Sequence, residues 1–478
     1  MNFRLVFRVT GKTLMVLSMT MLLPLLVCLI YRENPVPFLL AIAITGGAGL
    51  LLSLIRSNDH FFPREGFFAV ALIWLLVGAC GALPFHFCGY FDSYIDCFFE
   101  SVSGFTTTGS SILTAVEPLP RGILFWRSFM HWLGGMGVLV LTIALMPSLG
   151  GRTLHLMKAE SPGPIVSKLV PKIKSTAKIL YGIYIVLTIL EMILLFAGGM
   201  PLFDSVNHAL STAGTGGFSI KNSSIAAYNS PYFEYVITIF MLLFSINFNM
   251  FYLLLVRDFK AVFKNEELRY YLVIVGISTA VITANIVHLY PTLESAFRHA
   301  VFQVATITST TGFITANYEE WPELSKTILV VLTMLGACGG STGGGIKVSR
   351  FIILLKLTLR EIRHIVHPRS VNIIKLEGQR VSDETIQGTT GYFITYVMLL
   401  FGSFILVSID NYDFTTSITA VITTLGNVGP GLSLVGPVEN FSLFSDFSKI
   451  VLSLDMLFGR LEIFPMIMLF SPSIWRKA

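Results

Sequence analysis

The chain has 478 residues, of which 54% are hydrophobic and only 13% charged, with a mean hydropathy of +0.73. A soluble domain carries about 25% charged residues, so this composition excludes an ordinary water-soluble enzyme and points to a bilayer as solvent. The net charge of +5 is no nucleic-acid signal, because it reflects an excess of Lys and Arg on a few connecting segments.

A spanning helix needs roughly 20 mainly apolar residues. Such stretches lie near 14–31, 36–56, 66–86, 122–147, 176–198, 232–256, 269–290, 388–409 and 447–470, with a broken one over 325–359, which predicts about ten spans. The first runs through Pro24 toward a second apolar segment with no small-residue cleavage site, so no cleavable signal peptide is expected. The longest polar stretches, 150–178 and 360–388, are too short for a sizeable soluble domain. The five cysteines (Cys28, Cys80, Cys88, Cys97 and Cys338) form no CxxC and read as small buried apolar residues, although Cys88 and Cys97 could meet outside the membrane.

Basic residues alternate with the spans. Arg4, Arg8 and Lys12, then Arg152, Lys158, Lys168, Lys172, Lys174 and Lys178, then Arg257, Lys260, Lys264 and Arg269, then Lys347, Arg350, Lys356, Arg360, Arg363, Arg369, Lys375 and Arg380 fall on one face of the ten-span arrangement. The positive-inside rule makes that face cytoplasmic and places both termini there. The other face carries Asp92, Asp96, Glu117, Asp204, Glu294, Glu319, Glu320, Glu323, Asp410, Asp413, Glu439 and Asp446, either as solvated loops or as a mouth that concentrates cations.

Four connections on the acidic face share one pattern: a moderately apolar stretch too short to span, then a segment rich in Thr, Ser and Gly. They are FDSYIDCFFESVSGFTTTGSS (91–111), LFDSVNHALSTAGTGGFS (202–219), LESAFRHAVFQVATITSTTGFIT (293–315) and YDFTTSITAVITTLGNVGPGL (412–432). Each begins near an acid that suits a helix N-terminus (Asp92, Asp204, Glu294, Asp413) and reaches a glycine after a small polar run (Gly109, Gly216, Gly312, Gly429). One TTTG alone is a polar turn. Four copies, each between two spans, predict a repeated unit of span, short helix, glycine segment and span. Non-helical backbone at membrane depth must be buried in protein or line water. Re-entrant segments of this kind supply carbonyls that replace the hydration shell of a cation, with the negative helix ends aimed at the same centre.

Residues 336–347 read GACGGSTGGGIK, after an apolar run (326–335) too short to cross about 30 Å of hydrocarbon. The helix must break here, either as a flexible interfacial turn or as a loop that obstructs a pore. The spacing does not meet a nucleotide-binding P-loop, since Ile346 separates Gly345 from Lys347. Arg460 lies inside the last apolar stretch, and neither Asp455 nor Glu462 shares its helix face. It is therefore either an interhelical ion-pair member or a cationic barrier in a pore. His364 and His367 have no companions for a zinc site, and no GxSxG or HExxH appears, so no enzyme is expected.

The segments SGFTTTGSS (103–111), STAGTGGFS (211–219), TSTTGF (308–313), GNVGPG (426–431), HWLGGMG (131–137), GGSTGGGIK (339–347) and GRLEIFP (459–465) resemble the TrkH/TrkG-type membrane subunits of Trk potassium-uptake systems, within the Trk/Ktr/HKT superfamily. The resemblance covers nearly the whole chain. It implies an all-α integral membrane fold: two extra N-terminal spans (1–62) and four helix–pore-helix–helix repeats (63–160, 161–265, 266–380 with a broken second helix, and 381–478) around a pseudo-fourfold pore. It implies potassium uptake across a bacterial inner membrane through a filter built from Thr107, Thr108 and Gly109; Gly214, Thr215 and Gly216; Thr310, Thr311 and Gly312; and Asn427, Val428 and Gly429. A glycine in all four copies is the family pattern for potassium over sodium. It further implies a gate loop of Gly336, Gly339, Gly340, Ser341, Thr342, Gly343, Gly344 and Gly345, with Arg460 as a pore barrier. The expected partners are a second copy of the chain, membrane lipid and a cytoplasmic TrkA-type ring that binds NAD or ATP. The chain itself is expected to need no cofactor and to bind neither nucleic acid nor a transition metal. Paired inverted halves would favour a secondary transporter instead, and a catalytic pair an intramembrane enzyme. Fourfold repetition favours the channel-like reading.

Overall fold

The computed structural model describes residues 3–56, 63–137, 173–369 and 372–470. The basic segment 152–172 and the end of the 122–147 stretch lie outside the described residues.

The N-terminal pair is α1 (Phe3–Thr20) continued by α2 (Leu22–Ile30), packed against α3 (Val36–Ser53). The pair touches through glycines: a Cβ on Gly11 would stand 2.5 Å from the Ser53 amide, and one on Gly49 2.9 Å from the Met15 amide. Small residues let backbones approach where the solvent supplies no hydrophobic drive between helices.

The rest of the chain runs through one order of helices four times. A long helix is followed by a short one and then by a third of 13–15 residues. The first set is α4 (Pro63–Cys88), α5 (Tyr94–Phe105) and α6 (Arg121–Gly135). The second is α7 (Ile173–Ala197), α8 (Leu202–Gly214), α9 (Pro231–Phe244) and α10 (Phe248–Leu255), with a small α11 (Phe259–Lys264). The third is α12 (Glu266–Ile286), α13 (Leu293–Thr308), α14 (Glu323–Leu335) and α15 (Val348–Val366). The fourth is α16 (Asp383–Val407), α17 (Phe414–Gly426), α18 (Asp446–Arg460) and α19 (Phe464–Phe470). The short helices have 12, 13, 16 and 13 residues. At 1.5 Å per residue they reach about 18–24 Å, less than the hydrocarbon thickness.

Six helices among the described residues are long and apolar enough to cross a membrane, or seven if the bent pair α9–α10 counts as one. Two of the nine stretches expected to be unbroken are therefore not continuous helices among the described residues. The 232–256 stretch bends by 92° between α9 and α10. The 447–470 stretch breaks after Arg460, where Glu462 and Ile463 both take left-handed dihedrals. The all-α expectation also gives way at one point, an antiparallel pair of two-residue strands, β1 (Lys375–Leu376) and β2 (Gln379–Arg380). All five cysteines are free, Cys88 and Cys97 included.

Long helices show apolar side chains to the outside, among them Leu51 on α3, Val186 on α7, Ile277 on α12 and Met398 on α16. In water such a surface would associate; in a bilayer it is matched to its solvent. Charged and hydroxyl side chains collect inside instead: Glu100, Arg127, Glu267, Lys347, Asp455 and most of the Thr-rich segments are buried.

Candidate ion pathway

The four short helices end in one and the same way. The amide of Thr108 donates to the Ser103 carbonyl at 2.9 Å, that of Gly216 to Ser211 at 3.0 Å, that of Thr311 to Thr306 at 2.8 Å, and that of Val428 to Thr423 at 2.8 Å. Each bond spans five residues and requires a left-handed residue just before it. Those residues are Thr107, Thr215, Thr310 and Asn427, with φ of +56°, +54°, +61° and +54°. Asparagine visits this region readily; threonine does so only when its surroundings hold it there.

This correspondence moves the expected glycine of the second copy by one residue. Counting two residues past the left-handed position gives Gly109, Gly217, Gly312 and Gly429, so Gly217 and not Gly216 matches the other three. Gly217 has a φ of +78°, beside +83° at Gly109 and +88° at Gly312. Gly216 stands level with Thr108, Thr311 and Val428, and Gly214 belongs to the last turn of α8. The sequence GTGG offers three glycines in four places, and apolar spacing cannot choose among them.

The four segments also touch in a closed circuit. A Cβ on Gly109 would be driven into the carbonyl oxygen of Gly216, and one on Gly217 into that of Thr311. A Cβ on Gly312 would stand 3.1 Å from the Gly429 amide, and one on Gly429 3.2 Å from the Thr108 carbonyl. The side chains beside the circuit are tied across copies: Asn427 Nδ2 donates to Thr108 Oγ1 at 3.0 Å, and Ser110 Oγ to the Gly429 carbonyl at 3.0 Å. Gly109, Gly217, Gly312 and Gly429 all line one cavity of about 120 Å³ that opens outward past Ser111, Lys221, Asn222 and Glu439.

The cavity wall contains a group that the sequence reading passed over. Arg127 on α6 and Glu100 on α5 form a fully buried ion pair at 2.8 Å. Glu100 also accepts from the Ile112 amide and the Ser111 hydroxyl, so it holds the stretch that follows Gly109. Arg127 donates to the Ser219 carbonyl at 3.1 Å and lies over the Phe218 ring, so it holds the stretch that follows Gly217. The available signal was a charge beyond the first turn of each of two apolar helices, Glu100 in α5 and Arg127 in α6, which is costly unless paired.

Few of the acids on this face line the cavity; Glu439 does, alongside Arg127 and Lys221. Others are engaged in structure. Asp96 meets Lys449 at 2.5 Å, Glu294 meets Arg298, Glu319 takes the Ser433 amide, and Asp410 takes Ser445. Asp413 caps α17 by accepting the Thr416 hydroxyl and amide, which holds its carboxyl below the usual range. The expected acids at the other short helices sit differently: Ser93 and Thr292 make the cap bonds for α5 and α13, and α8 starts after Pro201 with Asp204 in its first turn.

On the opposite side of the circuit lies the segment from Gly336 to Lys347. All of it is buried except Gly340. It folds back on itself, with the Val348 amide donating to the Ala337 carbonyl at 3.2 Å and that of Lys347 to Leu335 at 3.1 Å. Lys347 Nζ donates to the Gly343 carbonyl. The Gly344 amide reaches up to Thr310 Oγ1 at 2.7 Å, and a Cβ on Gly343 would stand 2.8 Å from the Ser309 carbonyl. The bend between α9 and α10 receives this segment: Cys338 N donates to the Ser245 carbonyl, Thr342 Oγ1 to that of Phe244, and Phe248 N to that of Gly340. The backbone groups freed by the bend thus find partners in the loop, which is why an apolar run that looked continuous can break inside the membrane.

Arg460 joins all of these parts. Its Nη1 donates to the Thr342 carbonyl at 2.7 Å and to Thr107 Oγ1 at 3.2 Å, and its Nη2 to the carbonyls of Gly134 and Gly135 at 2.5 and 2.8 Å. Its sequence neighbours turn elsewhere. Asp455 accepts from Ser403 at 2.7 Å, and Glu462 pairs with Arg350, which stacks on Tyr392. Among the described residues no group of three His, Cys, Asp or Glu could hold a metal ion.

The chain matches the model of the TrkH family, cation transport proteins, over residues 38–477. It is 37% identical to the Trk system potassium uptake protein TrkH of Salmonella typhimurium over the full length of both chains. To the protein TrkG of Escherichia coli K12 it is 33% identical, over all of this chain and 99% of the other. The crystal structure of the potassium transporter TrkH from Vibrio parahaemolyticus superposes with a TM-score of 0.90 at 33% identity, covering both chains completely. These relatives are named as transport proteins and not as enzymes. Identity of this order over the whole length, with the fold preserved, means that the chain belongs to the TrkH family of cation transport proteins.

Proposed function

We propose that this protein takes up potassium across the inner membrane through a pore on the axis of the four short helices. The observation that carries the reading is the closed circuit of four equivalent left-handed turns, whose glycines line one outward-opening cavity above Arg460 and the buried glycine loop. Backbone carbonyls in that circuit replace a cation's hydration shell, and the carboxyl ends of the four helices add negative potential. The filter comprises Thr107–Gly109, Thr215–Gly217, Thr310–Gly312 and Asn427–Gly429. Potassium as cargo is supported by the names of the full-length relatives.

In this reading the chain is two N-terminal spans (1–62) and four repeats (63–160, 161–265, 266–380 and 381–478) with both termini cytoplasmic, as the basic segments favour. The loop Gly336–Gly345 obstructs the path below the filter and Arg460 adds a positive barrier. A second copy of the chain and a nucleotide-binding cytoplasmic ring complete the system.

The test is ion flux in proteoliposomes. Gly109→Ser lowers the potassium-to-sodium permeability ratio, because its side chain displaces the Gly216 carbonyl. Deleting 339–345 raises rubidium uptake at an unchanged ratio. A conducting Gly109→Ser protein with the wild-type ratio refutes the filter, and a folded deletion with wild-type flux refutes the gate.

A further inference from the structure

The gate loop is bonded to the first turn of α12, and that turn is bonded to the small hairpin at the end of the basic segment. Glu267, buried on α12, accepts from the Gly339 amide at 2.7 Å and from the Ser349 amide at 3.0 Å, both on Oε1. One of those amides lies inside the loop and the other just past its end, in the first turn of α15. A single carboxylate oxygen therefore closes the loop at its base, through charge-assisted bonds that are roughly twice as strong as neutral ones.

The same first turn is held from the other side. The exposed Glu377 accepts from the amides of Glu266 and Glu267 on its Oε1, at 2.9 and 3.3 Å. Lys356 on α15 bridges the Glu266 carboxylate and the Lys375 carbonyl. Glu377 occupies the first central position of the two-residue turn between β1 and β2, with a φ of +53°. Such a turn favours Asn, Asp or Gly there. A glutamate held in that strained conformation calls for a compensating contact, and the α12 amides supply one.

Packing repeats the connection. Ile374, Leu376 and Val381 of the hairpin, Tyr271 and Val275 of α12, Cys338 of the loop and Val348 of α15 belong to one buried apolar cluster. The hairpin and the loop thus pack against a shared wall, in an interior that transmits displacement because it is close-packed.

We infer that Glu267 is a positioning residue that latches the glycine loop, and that Glu377 on the cytoplasmic hairpin sets the latch through the first turn of α12. This rests on the proposed gate and adds the route by which a cytoplasmic partner reaches it. A pull on the hairpin withdraws Glu377 from the α12 amides, shifts the Glu267 backbone and loosens both amides together.

The experiment uses the full-length protein. Hydrogen exchange of the peptide covering 336–349 reports the loop, and rubidium uptake into proteoliposomes reports the path. Glu267→Ala speeds exchange of that peptide and raises uptake by roughly tenfold, the factor that about 1.4 kcal/mol carries. Glu267→Gln keeps an oxygen that can accept both amides but loses the charge, and falls between wild type and Glu267→Ala in both readouts. Glu377→Ala, a surface change that leaves the buried carboxylate in place, speeds exchange of the same peptide to a smaller degree. The latch is overturned if Glu377→Ala and folded Glu267→Ala both exchange as wild type, even when deletion of 339–345 raises uptake and upholds the gate. If exchange rises while uptake stays level in Glu267→Ala and in the deletion alike, the latch stands and the gate falls.

Discussion

Arg460 is the residue on which the two halves of the proposed pathway meet. Its guanidinium is charged at any accessible pH, and it donates to the circuit of turns at Thr107, to the loop at Thr342 and to the end of α6 at Gly134 and Gly135. Two unit charges 4 Å apart interact by about 4 kcal/mol at an effective dielectric of 20, and carbonyl oxygens around the guanidinium reduce what a passing ion feels. Even about 1.4 kcal/mol left over slows transfer tenfold. Arg460→Ala is therefore expected to raise potassium flux with little change in selectivity. Flux per molecule and thermal stability are to be measured on one preparation; lower stability with unaltered flux makes the residue purely structural.

Two neighbouring glycines give a second test at the same scale. A side chain at Gly216 collides with the His131 ring, outside the circuit, whereas one at Gly217 collides with the Thr311 carbonyl inside it. His131→Ala should therefore restore folding and conduction to Gly216→Ala and do nothing for Gly217→Ala, whose φ of +78° is closed to alanine without strain. Equal rescue of both would show that the second copy is not registered on Gly217.

At the scale of elements, the short helices are placed by groups that reach across copies. The Arg127–Glu100 pair binds the outer stretches of the first and second copies, and Lys449–Asp96 joins α18 to α5. Removing one partner of a buried pair costs about 3–5 kcal/mol, because the other charge is left unpaired in a medium of low dielectric. Glu100→Ala should thus lower thermal stability sharply, while Asp413→Ala, which removes only an exposed cap, should cost about 1 kcal/mol. Thermal unfolding of the two purified variants decides; similar losses would mean that the buried pair holds nothing the cap does not. The breaks after α9 and α18 belong here too. Each looked like part of an unbroken apolar run, since hydropathy measures the solvent around a segment and not the path of its backbone.

For the whole molecule, the basic face needs division. Lys347 and Arg350 are buried, Arg350 and Lys356 are paired, and Arg360 bonds the adjacent Glu361. Arg257, Lys260, Lys264, Arg363 and Lys375 remain exposed. If a cytoplasmic ring docks here, charge reversal at Arg363 and Lys260 weakens its capture, and reversal at Arg360 acts less. A pull-down with a TrkA-type ring, with topology verified, gives the answer; undiminished capture by all of these variants leaves the basic charge as a topological signal alone.

Composition and pattern sufficed for a bilayer protein with four glycine-bearing short helices, one broken glycine loop and an arginine where hydrocarbon would forbid it, because each of these is a local conflict with the solvent. Tertiary structure alone decided which glycine of GTGG joins the circuit, what Arg460 touches, that Arg127 and Glu100 are a pair, and that an apparently continuous helix bends to receive the loop. The physical reason is the same in every case. These features are settled by hydrogen bonds and close contacts between residues from about 27 to more than 300 positions apart, and neither periodicity nor propensity carries information over such separations.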